Sequence, residues 1–346
     1  MKLNRNHPLY IQDLENVLRI KNIGLLKGKR ILITGATGLL GVCLIDALMR
    51  INEQGGNLMI YAIGRNRDKA YDRLGLYYEH PCFQFIEQDV IDELPPSLCV
   101  DYIIPGASNT HPLAYSQYPI ETMLVNLKGA EHALNKASEC GATVLYLSTV
   151  EVYGNARGED VFTEDYTGQL NLSTARACYT ESKRACEALC QSYIAEKGVD
   201  VKIVRLSRVF GPTMLESDSK ASSQFIKNAL RGEDIVLKSE GNQFFSYTYV
   251  ADAVSAMLYV LLNGENGVPY NISSSSCDVH LKDFAACCAE ACGKKVVFDL
   301  PSETERKGFS IAQQAILDNT RLKAIGWEPV YSIKDAVWRT IQILQS

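Results

Sequence analysis

Tyr179 and Lys183 stand four apart in Ala-Cys-Tyr179-Thr-Glu-Ser-Lys183-Arg, a spacing that could serve proton transfer. Ala185, Leu189 and Tyr193 continue a helical stripe, which predicts a helix with both side chains on one face. A tyrosine phenol ionises near about 10, too high for a base at neutral pH. A nearby ammonium favours the phenolate and lowers that value. The same spacing also fits two surface residues on an amphipathic helix. A second group changes the balance: Leu147-Ser-Thr149-Val150-Glu151-Val-Tyr153-Gly reads as a strand end. A hydroxyl there, Thr149, can bond the substrate oxygen that the tyrosine deprotonates. A sugar-like carbon is a poor hydride donor until its hydroxyl proton leaves, and Thr149 with Tyr179 would supply that step. Glu151 reads two ways, as a substrate-facing carboxylate or as a turn carboxylate capping the next segment.

Hydride needs an acceptor, and an earlier stretch offers the cradle for one. Ile31-Leu-Ile-Thr-Gly35-Ala-Thr37-Gly38-Leu39-Leu40-Gly41 is a strand, a glycine-rich turn and a helix start. Gly35 allows the tight turn, Gly38 lets backbone approach a pyrophosphate, and Gly41 lets helix pack on strand. The helix N-terminus faces the phosphates. Thr37, Leu39 and Leu40 complete the predicted cradle. Lys183 would then bond the nicotinamide ribose. A second strand at 58–63 ends at Gly64-Arg65, where an acidic residue would favour NAD. Arg65 can hold a 2′-phosphate, which admits NADP, or stack flat on adenine without choosing. Asp89, with Val90, follows a third strand at 83–88 and is placed to accept from the adenine amine. Ala107 and Ser108 follow a fourth strand at 102–105, and their small side chains let a cofactor lie over the sheet. Asn126 joins the cofactor set, and Asn109 and Thr110 are assigned to substrate.

These residues need a particular frame. A fifth strand is predicted at 142–148, after a helix opened by Pro119 and stopped by Gly141. Strands and helices alternate over 30–210, which predicts an α/β, Rossmann-type doubly wound parallel sheet with ligands at the strand C-termini. Residues 1–28 read as an N-terminal helical extension whose pattern covers 9–26, with packing its expected role. Residues 29–211 form the dinucleotide-binding domain. Residues 212–346 form mainly a smaller C-terminal α/β substrate lobe, with 251–273 returning to the main sheet. In that lobe, helices are expected at 222–231, 251–262, 281–292 and 333–344, and strands at 235–239, 244–250, 270–273 and 296–300.

Bulk properties narrow the class. The 346 residues are 47% hydrophobic and 22% charged, with net charge −5. No basic block marks a nucleic-acid footprint. The apolar run at 31–49 is interrupted by its glycines and Thr34, so no membrane span is expected. Met1-Lys-Leu-Asn-Arg-Asn has no apolar core behind it, so no signal peptide is expected. Eleven scattered cysteines without a C-x-x-C pair read as reduced core residues of a cytoplasmic protein, with no metal site. His111 is left out of the catalytic set, and His132 is expected to be solvated.

Taken in order, Thr-Gly-x-x-Gly-x-x-Gly, Ser-Thr-x-Glu-Val-Tyr-Gly, Tyr-x-x-x-Lys and Arg205-x-x-Arg208-x-x-Gly211-Pro212 resemble the extended short-chain dehydrogenase/reductases, the nucleotide-sugar epimerase/dehydratase family. The resemblance covers roughly 29–345. Arg176-Ala-Cys-Tyr179-x-Glu181-x-Lys183-Arg184 is most similar to UDP-glucuronate decarboxylases, and Ser148-Thr149-Val150-Glu151 to both these and nucleoside-diphosphate-glucose 4,6-dehydratases. The resemblance implies a homodimer and a retained NAD, with NADP admitted by Arg65. It implies a nucleotide-diphosphate sugar as substrate and a 4-keto intermediate that is then epimerised, decarboxylated or dehydrated.

Three positions depart from that pattern. Val150 replaces the acidic aspartate of the dehydratases, and a valine cannot donate a proton. Arg208 replaces an asparagine that contacts sugar nucleotide. Phe245 replaces an arginine that holds a substrate phosphate, a contact that Arg208 or Arg306 can take over. Two other readings are an NADPH-dependent keto-sugar reductase and a non-catalytic dinucleotide sensor.

Overall fold

Strand β1, Arg30–Thr34, reads Arg-Ile-Leu-Ile-Thr and is buried on both sides. Ile31 and Ile33 face one core and Leu32 the other. A strand with apolar residues on both faces belongs inside a sheet covered by helices, and that is where it lies. The computed structural model describes residues 2–110, 116–156, 161–299 and 313–345.

Strands are numbered in chain order. The main sheet also contains β2 (Met59–Gly64), β3 (Phe83–Glu87), β4 (Tyr102–Pro105), β5 (Thr143–Thr149), β7 (Asp200–Leu206) and β11 (Pro269–Ile272). Their order is β11-β7-β5-β4-β1-β2-β3. Every neighbouring pair is parallel. The chain winds outward from β1 to β3, then restarts at β4 on the other side of β1. The gap between the β1 and β4 carboxyl ends is therefore a topological switch point, where such sheets bind ligands.

Helices α1 (Pro8–Val17), α2 (Leu39–Glu53) and α7 (Val250–Asn263) pack together on one face. Helices α4 (Pro119–Cys140) and α5 (Ala177–Lys197) pack on each other across the opposite face. Pro119 starts α4, and Gly141 ends it in the left-handed conformation at φ 66°. The remaining helices are α3 (Arg67–Leu74), α6 (Ala221–Leu230), α8 (Leu281–Cys292), α9 (Thr320–Ala324) and α10 (Ile333–Gln345).

The helical pattern at 9–26 is not one helix. It ends at Val17, and a separate 3-10 turn, Ile23–Leu26, follows Asn22, whose φ is 67°. The extension is pinned by two buried carboxylates. Asp46 on α2 accepts from Tyr10 Oη at 2.6 Å, Tyr77 Oη at 2.9 Å and Arg5 Nε at 2.9 Å. Asp13 on α1 accepts from Tyr249 Oη at 2.6 Å, Tyr331 Oη at 2.8 Å and Arg339 Nη1 at 2.8 Å. These bonds satisfy charges that burial would otherwise penalise.

Short strands make the second sheet: β6 (Val161–Phe162), β8 (Arg208–Phe210), β10 (Phe244–Tyr249), β12 (Asp278–His280) and β14 (Gln314–Leu317). Its order is β12-β10-β14-β6, with β8 also on β10. A two-stranded pair joins β9 (Ile235–Leu237) to β13 (Val296–Phe298). The cysteines are not all core residues: Cys99, in the turn before β4, is exposed. Among the described residues, no helix is long and apolar enough to cross a membrane, and no cluster could hold a metal ion.

Candidate active site

The switch point is closed by glycine. Gly35 follows β1 at φ 66°, and a Cβ there would lie 2.5 Å from the Gly106 carbonyl oxygen after β4. A Cβ on Gly41 would lie 2.5 Å from the Gly35 oxygen, so α2 rests directly on the turn. Gly38 caps α2 without a side chain, and the first turn contains no acidic residue. The amides that open α2, at Leu39, Leu40 and Gly41, thus present the positive helix end to the crevice, with Thr37 half-buried beside them. Ala107 N donates to Thr34 Oγ1 at 3.1 Å, tying β4 to β1. Ser108 Oγ and Asn126 Oδ1 are buried with no hydrogen-bond partner among the described residues. Unmet buried polar atoms beside a glycine cradle fit a bound polar molecule. Gly35 to Gly41 would hold a pyrophosphate, and Ser108 and Asn126 the polar edges of a dinucleotide. Bound there, nicotinamide would take and return hydride.

Arg65 lies at the β2 end with two carboxylates. Its Nη1 donates to Glu121 Oε1 at 2.9 Å and stands 3.6 Å from Asp89 Oδ2. These contacts, Glu121's above all, and against some desolvation, raise the guanidinium pKa. Glu121 opens α4 and was invisible to sequence reasoning. Val90 is buried, and its carbonyl accepts from His132 Nδ1 at 3.0 Å. His132 is therefore not simply solvated: α4 turns it onto the loop after β3.

Tyr179 and Lys183 share α5, and the lysine reaches the sheet. Lys183 is buried, and its Nζ donates to the Leu147 carbonyl at 2.8 Å, two residues before Thr149. Burial pushes its pKa down, while the nearby Cys186 and Glu187 push it up. This bond pins the helix carrying half-buried Tyr179 against the strand end carrying Thr149. Thr149 Oγ1 accepts from Glu151 N at 3.3 Å and caps the 3-10 turn Val150–Tyr153. Asn126 Nδ2 donates to Ser182 Oγ at 2.8 Å, which links α4 to α5.

Two departures from the family pattern meet in space. The Arg208 guanidinium lies 3.6 Å from the Phe245 ring centroid, because β8 pairs with β10. Arg208 Nη2 stands 4.0 Å from Glu151 Oε1, and its Nη1 is buried without a hydrogen-bond partner. Val150 is buried. Asn109 Nδ2 donates to Thr122 Oγ1 at 3.2 Å, and Thr110 is exposed. Arg306 and His111 lie outside the described residues.

Beneath these groups runs a network that sequence reasoning missed. Glu187 accepts from Arg205 Nη2 at 2.7 Å and Arg205 Nε at 3.0 Å, and also from Ser148 Oγ. Arg205 Nη1 donates to Tyr153 Oη at 3.0 Å and the Glu164 carbonyl at 2.7 Å. Glu187 stands one turn beyond Lys183, a spacing that could have flagged it.

Known proteins match this architecture. The model of the NAD dependent epimerase/dehydratase family matches residues 31–273. UDP-glucuronic acid decarboxylase 1 of Xenopus tropicalis is 32% identical over 317 residues, covering 90% of this chain and 71% of that protein. UDP-glucuronic acid decarboxylase 6 of Arabidopsis thaliana is 31% identical, covering 89% and 86%. Among solved structures, dTDP-glucose 4,6-dehydratase from Streptomyces venezuelae, with NAD and TYD bound, has a TM-score of 0.77 at 22% identity, covering 91% of this chain and 96% of that one. UDP-glucuronic acid 4-epimerase from Bacillus cereus, in complex with UDP-glucuronic acid and NAD, has a TM-score of 0.75 at 20% identity, covering 91% and 98%. At such identities the solved structures speak for the fold. The family model and the decarboxylase relatives, each spanning most of the chain, show that this protein belongs to the NAD dependent epimerase/dehydratase family.

Proposed function

We propose that the chain decarboxylates a nucleotide-diphosphate hexuronate through a 4-keto sugar, with the cofactor retained. The observation that supports this reading is the Lys183 bond to the Leu147 carbonyl, which ties the helix carrying Tyr179 to the strand that ends at Thr149. Tyr179 takes the C4 hydroxyl proton, and Thr149 bonds the same oxygen. The Lys183 ammonium favours the phenolate that does this work. A ketone at C4 turns the C5 carboxylate into a β-keto acid. Its C5–C6 electrons can then move onto the ketone oxygen, where Tyr179 and Thr149 stabilise the enolate. Carbon dioxide leaves, C5 takes up a proton, and the ketone is reduced again, so the cycle has no net redox change. Val150 supports this outcome over dehydration, because it supplies no acid for a departing hydroxyl. The decarboxylase relatives point the same way.

Two finer readings accompany it. The Glu121 and Asp89 carboxylates on Arg65 disfavour a 2′-phosphate and favour NAD over NADP. Exposed apolar residues at the start of α4 and ahead of α5, among them Ile120, Leu124 and Leu172, support a homodimer across these helices. Sedimentation should then give a dimer that Ile120→Lys dissociates. The decarboxylation itself is tested by incubating the holoenzyme with a panel of nucleotide sugars. A transient rise in reduced-nicotinamide absorbance and a product lighter by one carbon dioxide are expected with a hexuronate. Turnover of neutral hexoses alone would overturn the proposal.

A further inference from the structure

We infer that Arg208 recognises the C6 carboxylate of the sugar and aligns the bond that breaks; this rests on the nucleotide-sugar reading above. The placement comes from ring geometry. In a hexopyranose the diphosphate is attached at C1, across the ring from C4, whereas C6 hangs from C5, next to C4. Thr149 and Tyr179 act at C4. Arg208 Nη2 stands 4.0 Å from Oε1 of Glu151, only two residues beyond Thr149. A cation at the C4 end of the ring is remote from C1, and of the substituents flanking C4 only the C6 carboxylate carries charge.

The guanidinium is prepared for an anion. It lies 3.6 Å from the Phe245 ring centroid, so the ring takes one face and leaves the N–H edge to bond a carboxylate in two places. At 4.0 Å the Glu151 oxygen is too far to consume that edge as a hydrogen bond. Nη1 is buried, and no atom among the described residues accepts from it. Both sides of the stack are fixed by main chain, since Tyr247 on β10 pairs with Arg208 on β8. A carboxylate brought beside Glu151 would meet a like charge, and Arg208 between them offsets it.

The rigid anchor also serves the chemistry. Electrons of the C5–C6 bond reach the C4 ketone only when that bond stands across the carbonyl plane. A two-point contact with the carboxylate can hold it there, using binding energy for orientation.

The test uses holoenzyme carrying Tyr179→Phe, which slows turnover, with and without Arg208→Met. Each protein is titrated calorimetrically with three probes: the nucleoside diphosphate, its glucose ester and its glucuronate ester. The nucleotide is whichever of UDP and dTDP the parent binds more tightly. Arg208→Met should weaken the glucuronate ester about 30-fold, as expected for a lost charge-assisted contact. It should leave the other two probes within about twofold, and their binding also shows that the variant is folded. Equal weakening of all three would place Arg208 on the diphosphate and overturn the inference, as would no weakening of any. If the parent binds neither nucleoside diphosphate, the nucleotide-sugar reading fails first and takes this inference with it.

Discussion

Replacing Glu187 by alanine should destabilise the fold by several kcal/mol, about 3–5. Glu187 and Arg205 side chains are 14% and 13% exposed and share two N–H···O contacts, at 3.0 and 2.7 Å. Glu187→Ala removes both and strips Ser148 of its acceptor. Among the described residues, the guanidinium stays buried with only Tyr153 Oη and the Glu164 carbonyl as hydrogen-bond partners. Breaking one side of a buried pair costs about 3–5 kcal/mol, chiefly from the charge left behind. Removing that charge as well should return part of the loss, so Glu187→Leu with Arg205→Met should be more stable than Glu187→Ala. Urea unfolding at fixed cofactor saturation measures both. A loss below about 1 kcal/mol, or a double variant no more stable than Glu187→Ala, would refute the idea that this pair locks α5 to β7.

Three further outcomes are expected. Tyr179→Phe should lower kcat by about 10²–10⁴-fold while cofactor content is unchanged; wild-type turnover would revive the sensor reading. Gly35→Ala should lose its bound cofactor and about 2 kcal/mol or more of stability. Its φ is 66°, and the new Cβ would lie 2.5 Å from the Gly106 oxygen, so a fully loaded variant with an unchanged melting temperature contradicts the cradle. Asp252 on α7 is pushed by burial from 3.8 up to about 7, although the Val330 and Tyr331 amides pull it down. Its folded value exceeds its unfolded one, so its contribution is full below about 4 and is lost as pH rises through 7. Between pH 5 and 7 the wild type should lose up to about 1.4 kcal/mol per pH unit relative to Asp252→Asn, and parallel urea midpoints would contradict this.

What sequence could show was local. Gly35, Gly38 and Gly41 announce a turn because each answers a constraint within a few residues, and Pro119 and Gly141 bracket α4 for the same reason. Alternating apolar runs led directly to the doubly wound sheet. Strands of two or three residues such as β6, β8 and β12 carry too little pattern to declare themselves and exist because a partner is there. The same holds for side chains. Arg208 and Phe245 were each visible as departures, but only the β8–β10 register stacks them. Glu121 on Arg65 and Ser148 on Glu187 are likewise long-range contacts with no local signature.

The most direct test of a retained cofactor cycling through C4 uses a nucleotide hexuronate deuterated at C4. Holoenzyme should convert it to a product that keeps deuterium at C4, measured by mass spectrometry, with no net change in oxidised nicotinamide. Loss of that deuterium, or stoichiometric accumulation of reduced cofactor, would contradict oxidation and re-reduction at C4 in one site.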